Sequence, residues 1–277
     1  MQTLRFIIVV LAVAGDISAH GSLHEQLTAL TAKIGQQPGN PEVFLRRGEL
    51  HYRHGNWSAA LADYDSAAKL APNMADIDFR RARVWLDCGD PAQALTLIDT
   101  FLSRHPNQPE ALIVRAEAQG RTGNWVSAAL DNQQAISASN NHSVELYIAT
   151  SNAWDRAEAP LLALKSLEKG IEHLGSIPVL QLAAIDLERK VGRWESALAR
   201  IDSLSSNDTR KETWLWRRGQ ILHESGHCKD ATVAFQQALD AIQSLPAVQR
   251  HTKAVTTLQQ QLRVAIEVPC SSEADLE

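Results

Sequence analysis

The sequence predicts an all-α solenoid of about six helix-turn-helix repeats, closed by a helix at each end. Three observations lead there. Ala60, Ala94, Ala128, Ala163, Ala197 and Ala231 recur at steps of 34, 34, 35, 34 and 34 residues. Gly55, Gly89, Gly123, Gly192 and Gly226 recur in step with them. Each period holds two helical patterns, and a unit that short cannot bury its own apolar face, so neighbours must stack into one continuous core.

The elements follow in order. Within 20–40, Leu27, Leu30 and Ile34 stand at helical spacing ahead of Pro38-Gly39-Asn40, which predicts a capping helix. The array then runs over 41–245 as repeats 41–74, 75–108, 109–142, 144–177, 178–211 and 212–245. With Pro41 as position one, small residues at position eight (Gly48, Ala82, Ala116, Ser151, Gly219) let helices approach closely, and Ile185 departs from this in repeat five. Position fifteen ends the first helix on a glycine suited to a left-handed backbone; repeat four has Glu158 instead. Position sixteen offers Asn56, Asp90 and Asn124 as N-caps. Position seventeen reads Trp57, Pro91, Trp125, Pro160, Trp194 and Cys228, the prolines falling where a first helical turn has no N–H to lose. Asn152, Asp155 and Glu158, with a one-residue insertion before them, predict a less regular stack across 143–177. Behind the array, 246–268 reads as one long capping helix with Val248, Val255, Leu258, Leu262 and Ile266 on one side and glutamines on the other, and 269–277 as an acidic tail.

The repeat PEVFLRRGELHYRHGNWSAALADYDSAAKLAPNM, with its small residues at positions eight, twenty and twenty-seven and Pro72 at thirty-two, resembles a tetratricopeptide repeat. The resemblance implies a right-handed superhelix whose first helices line a concave groove through positions two, five, nine, twelve and thirteen, with position six at its edge. Carried onto this chain, it implies a non-enzymatic scaffold that holds a protein or peptide partner through Glu49, Arg53, Arg83, Arg121, Arg156, Arg189 and Trp216, with Arg46, Arg80 and Arg217 at the edge. The arginine ladder suits carboxylates along an extended peptide, and Trp216 is expected as an exposed anchor among arginines. Pairing with Glu49, Glu117, Asp155 and Asp186 within the chain is the competing use of those arginines. At position seven, Arg47, Arg81, Arg115 and Arg218 are expected to pack their stems between helices. The lysine and asparagine set that clamps a terminal carboxylate in chaperone-binding members is absent from the groove positions.

The N-terminus carries Arg5, an apolar stretch from Phe6 to Ala14 and Ile17-Ser18-Ala19, a pattern that predicts a secretory signal peptide over 1–19. Cleavage after Ala14 competes with cleavage after Ala19. No lipobox cysteine is present, so the mature chain is expected free in an exported compartment, the periplasm of a Gram-negative source. Removing Arg5 and Asp16 together leaves the formal net charge at -5. With no basic run, nucleic acid and anionic membranes are poor partners, and no internal segment has the length and apolarity of a membrane span.

No phosphate-binding, zinc-protease or nucleophile-elbow motif occurs, so neither catalysis nor a cofactor is expected. Nearly all the carboxylates are expected on exposed, solvated helix faces. Cleavage at Ala19 would expose the amine and imidazole of His20, with His24 one turn on, and a metal-handling protein using these nitrogens for copper or zinc is an alternative function. A factor assembling an envelope complex through its caps or convex face is another. Of Cys88, Cys228 and Cys270, one must stay odd. Cys228 and Cys270 can bridge if Pro269 ends the capping helix, although their register overshoots by roughly 10 Å; unpaired cysteines are the alternative.

Overall fold

The computed structural model describes residues 23–139, 143–206 and 208–267. Those residues form helices and turns, with no strand among them. Helix α1 covers 23–36 and turns Leu23, Leu27, Leu30 and Ile34 to partial burial. It is followed by the pairs α2 (Pro41–Arg53) and α3 (Trp57–Leu70), α4 (Asp76–Asp87) and α5 (Pro91–Arg104), and α6 (Pro109–Arg121) and α7 (Trp125–Ala138). The pairs α8 (Val144–Arg156) and α9 (Pro160–Leu174), α10 (Pro178–Lys190) and α11 (Trp194–Ser206), and α12 (Glu212–Glu224) and α13 (Cys228–Gln243) come next. Two further helices, α14 (Ala247–Arg250) and α15 (Lys253–Glu267), close the described chain. The chain divides into two compact bodies, 1–140 and 141–277, a division that falls beside the one-residue insertion.

The recurring alanines are the inner contacts of both bodies: Ala60, Ala94, Ala163 and Ala197 are fully buried, and Ala128 and Ala231 nearly so. Small residues at position eight serve the same purpose. A Cβ on Gly48 would sit 2.6 Å from the ring of Tyr64, and one on Gly219 only 2.3 Å from Phe235, so the first and second helices of these repeats touch through a glycine and an aromatic face. Repeat four reverses the device. There the ring is Tyr147 on the first helix and the glycine is Gly170 on the second, 2.8 Å from ring to added Cβ.

Position fifteen adopts the left-handed backbone in every repeat, and Glu158 takes it up at φ 59 where the others have glycine. The repeat expected to be irregular therefore keeps its turn. Its polar substitutions are placed away from the core, Asn152 and Glu158 exposed and Asp155 at the surface, while Ser143 caps α8 by accepting from Leu146 N–H at 3.2 Å.

Several expectations need correction. Asp90 caps α5 through Gln93 N–H, but neither Asn56 nor Asn124 makes a side-chain cap; Asn124 donates instead to Thr122 Oγ1. The C-terminal segment is two helices rather than one, broken at His251 and Thr252, and the break swings Val248 out to 85% exposure while Val255 and Leu262 stay buried. Asp63, Asp131, Glu188 and Glu212 are the buried exceptions among the described carboxylates.

Those buried acids explain the position-seven arginines. Arg47 grips Asp63 with two bonds of 2.9 and 2.6 Å and Thr31 with a third, so it ties α2 to α3 and to α1 at once. Arg115 does the same between Asp131 on α7 and Asp99 on α5. Arg81 reaches back to Asp65 at 2.9 Å and Arg218 back to Asp202 at 2.5 Å. The stems do pack between helices, and the heads are fixed by ion pairs sixteen residues away in either direction. Repeat five exchanges the parts: position seven is Ala184, and Arg200 on the second helix occupies the gap, bonded to Glu188 and Gln181 at 2.8 Å with Glu168 of the preceding repeat at 3.7 Å.

Candidate functional site

In the first body, α2, α4 and α6 present their groove positions side by side. Their C-terminal ends are joined between repeats, position twelve to thirteen: Tyr52 donates to Asp87 at 2.6 Å, and Arg121 donates to the carbonyl of Leu86. Arg121 also pairs with Glu117 at 2.6 Å. Arg80 spans Asp76 at 2.7 Å and Glu49 at 2.9 Å, and Glu49 accepts a further bond from Tyr64. Glu49, Arg80 and Arg121 are thus engaged within the body, the competing use that the sequence offers for these charges.

Arg83 is held differently. Its guanidinium lies 4.5 Å from the centre of the Tyr52 ring and 5.8 Å from that of Phe79, within reach of cation–π attraction to both. Burial, with Asp87 behind it, raises the Tyr52 hydroxyl above the ordinary tyrosine range, so it stays protonated and keeps donating. Arg46 and Arg53 are exposed on α2, two helical turns apart on one face. Between the charges runs an apolar line at position five, from buried Leu45 through half-buried Phe79 to Ile113, 38% exposed.

The second body repeats the plan with other residues. Lys190 bonds Asp155 at 2.6 Å and Arg189 grips Glu224 with two bonds of 3.0 and 2.5 Å, again position twelve to thirteen. Arg189 is therefore occupied by its neighbours, and Asp186 adds a contact at 3.5 Å. Arg156 is exposed at the end of α8, and Arg217 is half-exposed on α12. Position five here reads Ile148, Leu182 and Trp216, and Val179 beside them is 50% exposed.

Trp216 is not the exposed anchor that the sequence suggests. It is half-buried, its ring 5.2 Å from that of Phe235, in the core cluster that includes Val255 and Leu262 of α15. Helix α15 stands beside α12 and leaves a cleft along the indole. One part, about 420 Å³, is walled by Trp216 and by Thr257, Gln260, Gln261, Val264 and Ala265. A second part of about 240 Å³ continues past Gln220 and His223 to Phe235. Sequence reasoning missed this cleft because the break after Arg250, which sets the position of α15, has no proline or glycine to mark it.

His20 and Cys270 lie outside the described residues, as does the cleavage region. His24 is exposed on α1, and among the described residues no group of three His, Cys, Asp or Glu is placed to hold a metal. Cys228 is disulfide-bonded, whereas Cys88 is free and exposed. No described helix is long and apolar enough to cross a membrane.

Two tetratricopeptide repeat family models match the sequence, over residues 51–118 and 25–75. No curated protein matches it. Among solved structures, a tetratricopeptide repeat protein from Parabacteroides merdae is similar at TM-score 0.53 and 19% identity, covering 92% of this chain and 97% of that one. The C-terminal part of a repeat-containing protein from Cytophaga hutchinsonii reaches TM-score 0.67 at 12% identity, over 89% and 98%. YrrB, described as a protein of the same repeat class with an unusual peptide-binding site, aligns at TM-score 0.52 and 14% identity over 73% and 97%.

Proposed function

Because the chain belongs to the tetratricopeptide repeat family, we propose that it is a non-enzymatic, exported scaffold holding a protein or peptide on the face formed by the first helices of its repeats. One observation supports the reading above the others. In both bodies ion pairs between neighbouring first helices, Arg80 with Glu49 and Lys190 with Asp155, tie that face together, while large side chains at position five of successive repeats, among them Phe79, Ile113, Leu182 and Trp216, keep surface open to solvent. A surface that is rigid, periodic and partly apolar is suited to a partner running across several repeats. The peptide-binding site named for YrrB agrees with this use of the fold.

Export rests on the signal-peptide pattern of residues 1–19 and accords with a disulfide at Cys228. Sequencing the N-terminus of the secreted chain tests it, with His20 expected first; retention of Met1 would remove export from the proposal. Crosslinking with mass spectrometry in the native compartment tests the scaffold. Links from a partner should fall on α2, α4, α6, α8, α10 or α12. Links confined to α3, α5, α7, α9 or the termini would move the contact to the convex face or caps.

A further inference from the structure

We propose that the cleft between α12 and α15 receives one large apolar side chain of an extended, locally uncharged peptide. The inference deepens the scaffold reading and rests on it. The first argument is the chemistry of the walls: an indole and a phenyl ring line the cleft with Ala265 and Val264, the last 54% exposed, and the polar groups beside them are the carboxamides of Gln220, Gln260 and Gln261, the hydroxyl of Thr257 and the imidazole of His223. Among the described residues lining the cleft, the one acid, Glu224, is held by Arg189 in two short bonds, and none is a lysine or an arginine. Burying a partner's charge there would be unfavourable, whereas a carboxamide can donate to a peptide carbonyl and accept from a peptide N–H at the same time.

Shape supplies the second argument. The wall residues on α15 run from 257 to 265, a length of about 12 Å at helical rise. That length accommodates about four residues of extended chain at about 3.3 Å each. This α15 wall faces Trp216 of α12, and beyond the meeting of Trp216 with Ala265 the trough continues along Gln220 and His223, which follow Trp216 at helical spacing. A trough of this length, with a deep apolar point at the indole and hydrogen-bonding groups along its sides, matches a short peptide with a Phe, Leu or Trp at its centre.

The test is selection of phage-displayed random dodecapeptides on the full chain, followed by binding of the selected peptides to Trp216→Ala, Val264→Glu and Arg83→Glu. Enriched sequences should share a large apolar residue without flanking charge. Their affinity should fall by about tenfold or more on Trp216→Ala, as expected of a buried anchor. Val264→Glu, a change at an exposed position of the cleft, should produce the same loss while circular dichroism stays that of the wild type, and both losses should exceed any on Arg83→Glu. Acidic peptides lost on Arg83→Glu but retained by Val264→Glu would overturn the cleft and leave the scaffold reading standing. A selection whose peptides ignore all three substitutions, or that enriches nothing over bare support, would overturn both.

Discussion

Glu158 is the one non-glycine residue among those described with a positive φ, and it sits where five sister repeats have glycine. A left-handed backbone costs an L-residue about 1–2 kcal/mol, and glycine returns about 0.5–1 kcal/mol of that through the greater freedom of its unfolded chain. Glu158→Gly should therefore raise stability by up to about 1 kcal/mol, read as a higher urea midpoint with an unchanged slope. Glu188 makes a second prediction at this scale. Burial lifts its carboxyl above the ordinary glutamate range, with Arg200 opposing the shift. The folded state thus keeps a proton that the unfolded chain releases, so this residue's contribution to stability is present below the ordinary glutamate pKa and is lost as pH rises through the raised one. Melting temperatures of wild type and Glu188→Gln, compared from pH 4 to 7, should show the wild type losing ground relative to the variant across that window; a constant offset would refute the assignment.

Between helices, the position-seven arginines fall into two energetic classes. Asp131 is 8% exposed and is met by Arg115, whereas Asp65, met by Arg81, is 47% exposed. Removing Arg115 strands a buried carboxylate and should cost about 2–3 kcal/mol, short of the full effect of breaking a buried pair because the guanidinium is partly solvated. Arg81→Ala should cost less than about 1 kcal/mol. Chemical denaturation of the two alanine variants checks the ranking. The helices themselves were legible because their period is enforced by alanines that are buried almost without exception. The polar layer was not, since a sequence shows Arg115 and Asp131 as two charged residues on different helices, and only the packing reveals that sixteen residues bring them to one point. Unaided, periodicity also treats 246–268 as one helix, because Val248, Val255 and Leu262 keep apolar spacing through a break that hydrophobicity does not register.

At the scale of the whole molecule, cysteine chemistry offers the most direct check. With Cys88 free and Cys228 bonded, Cys270 is the remaining cysteine of three. Alkylation of the native protein should label one thiol, at Cys88, and peptide mapping without reductant should recover the peptides of Cys228 and Cys270 joined. Label on Cys228 before reduction would contradict the bond. The candidate surface was legible in part: the register placed Arg83 and Trp216 on first helices and offered pairing with Glu49, Glu117, Asp155 and Asp186 as the competing use of the arginines, yet it did not show which arginine meets which acid, because pairing such as Arg189 with Glu224, position twelve of one repeat to thirteen of the next, depends on how closely the helices stand.

The backward reach of the position-seven arginines bears on how such a chain can grow. Each cation meets an anion left at position twenty-five by the repeat before it, as Arg81 meets Asp65, Arg115 meets Asp99 and Arg218 meets Asp202. A copied segment is therefore compatible with itself only if it carries both halves of the joint. Residues 75–108 do, with Arg81 and Asp99, while 212–245 has Arg218 but Gln236 where the anion belongs. Tandem synthetic genes made from the two segments should behave differently: concatemers of 75–108 find a counter-ion at every internal seam, and concatemers of 212–245 leave a guanidinium unanswered at each one, so the former should melt later as copies are added.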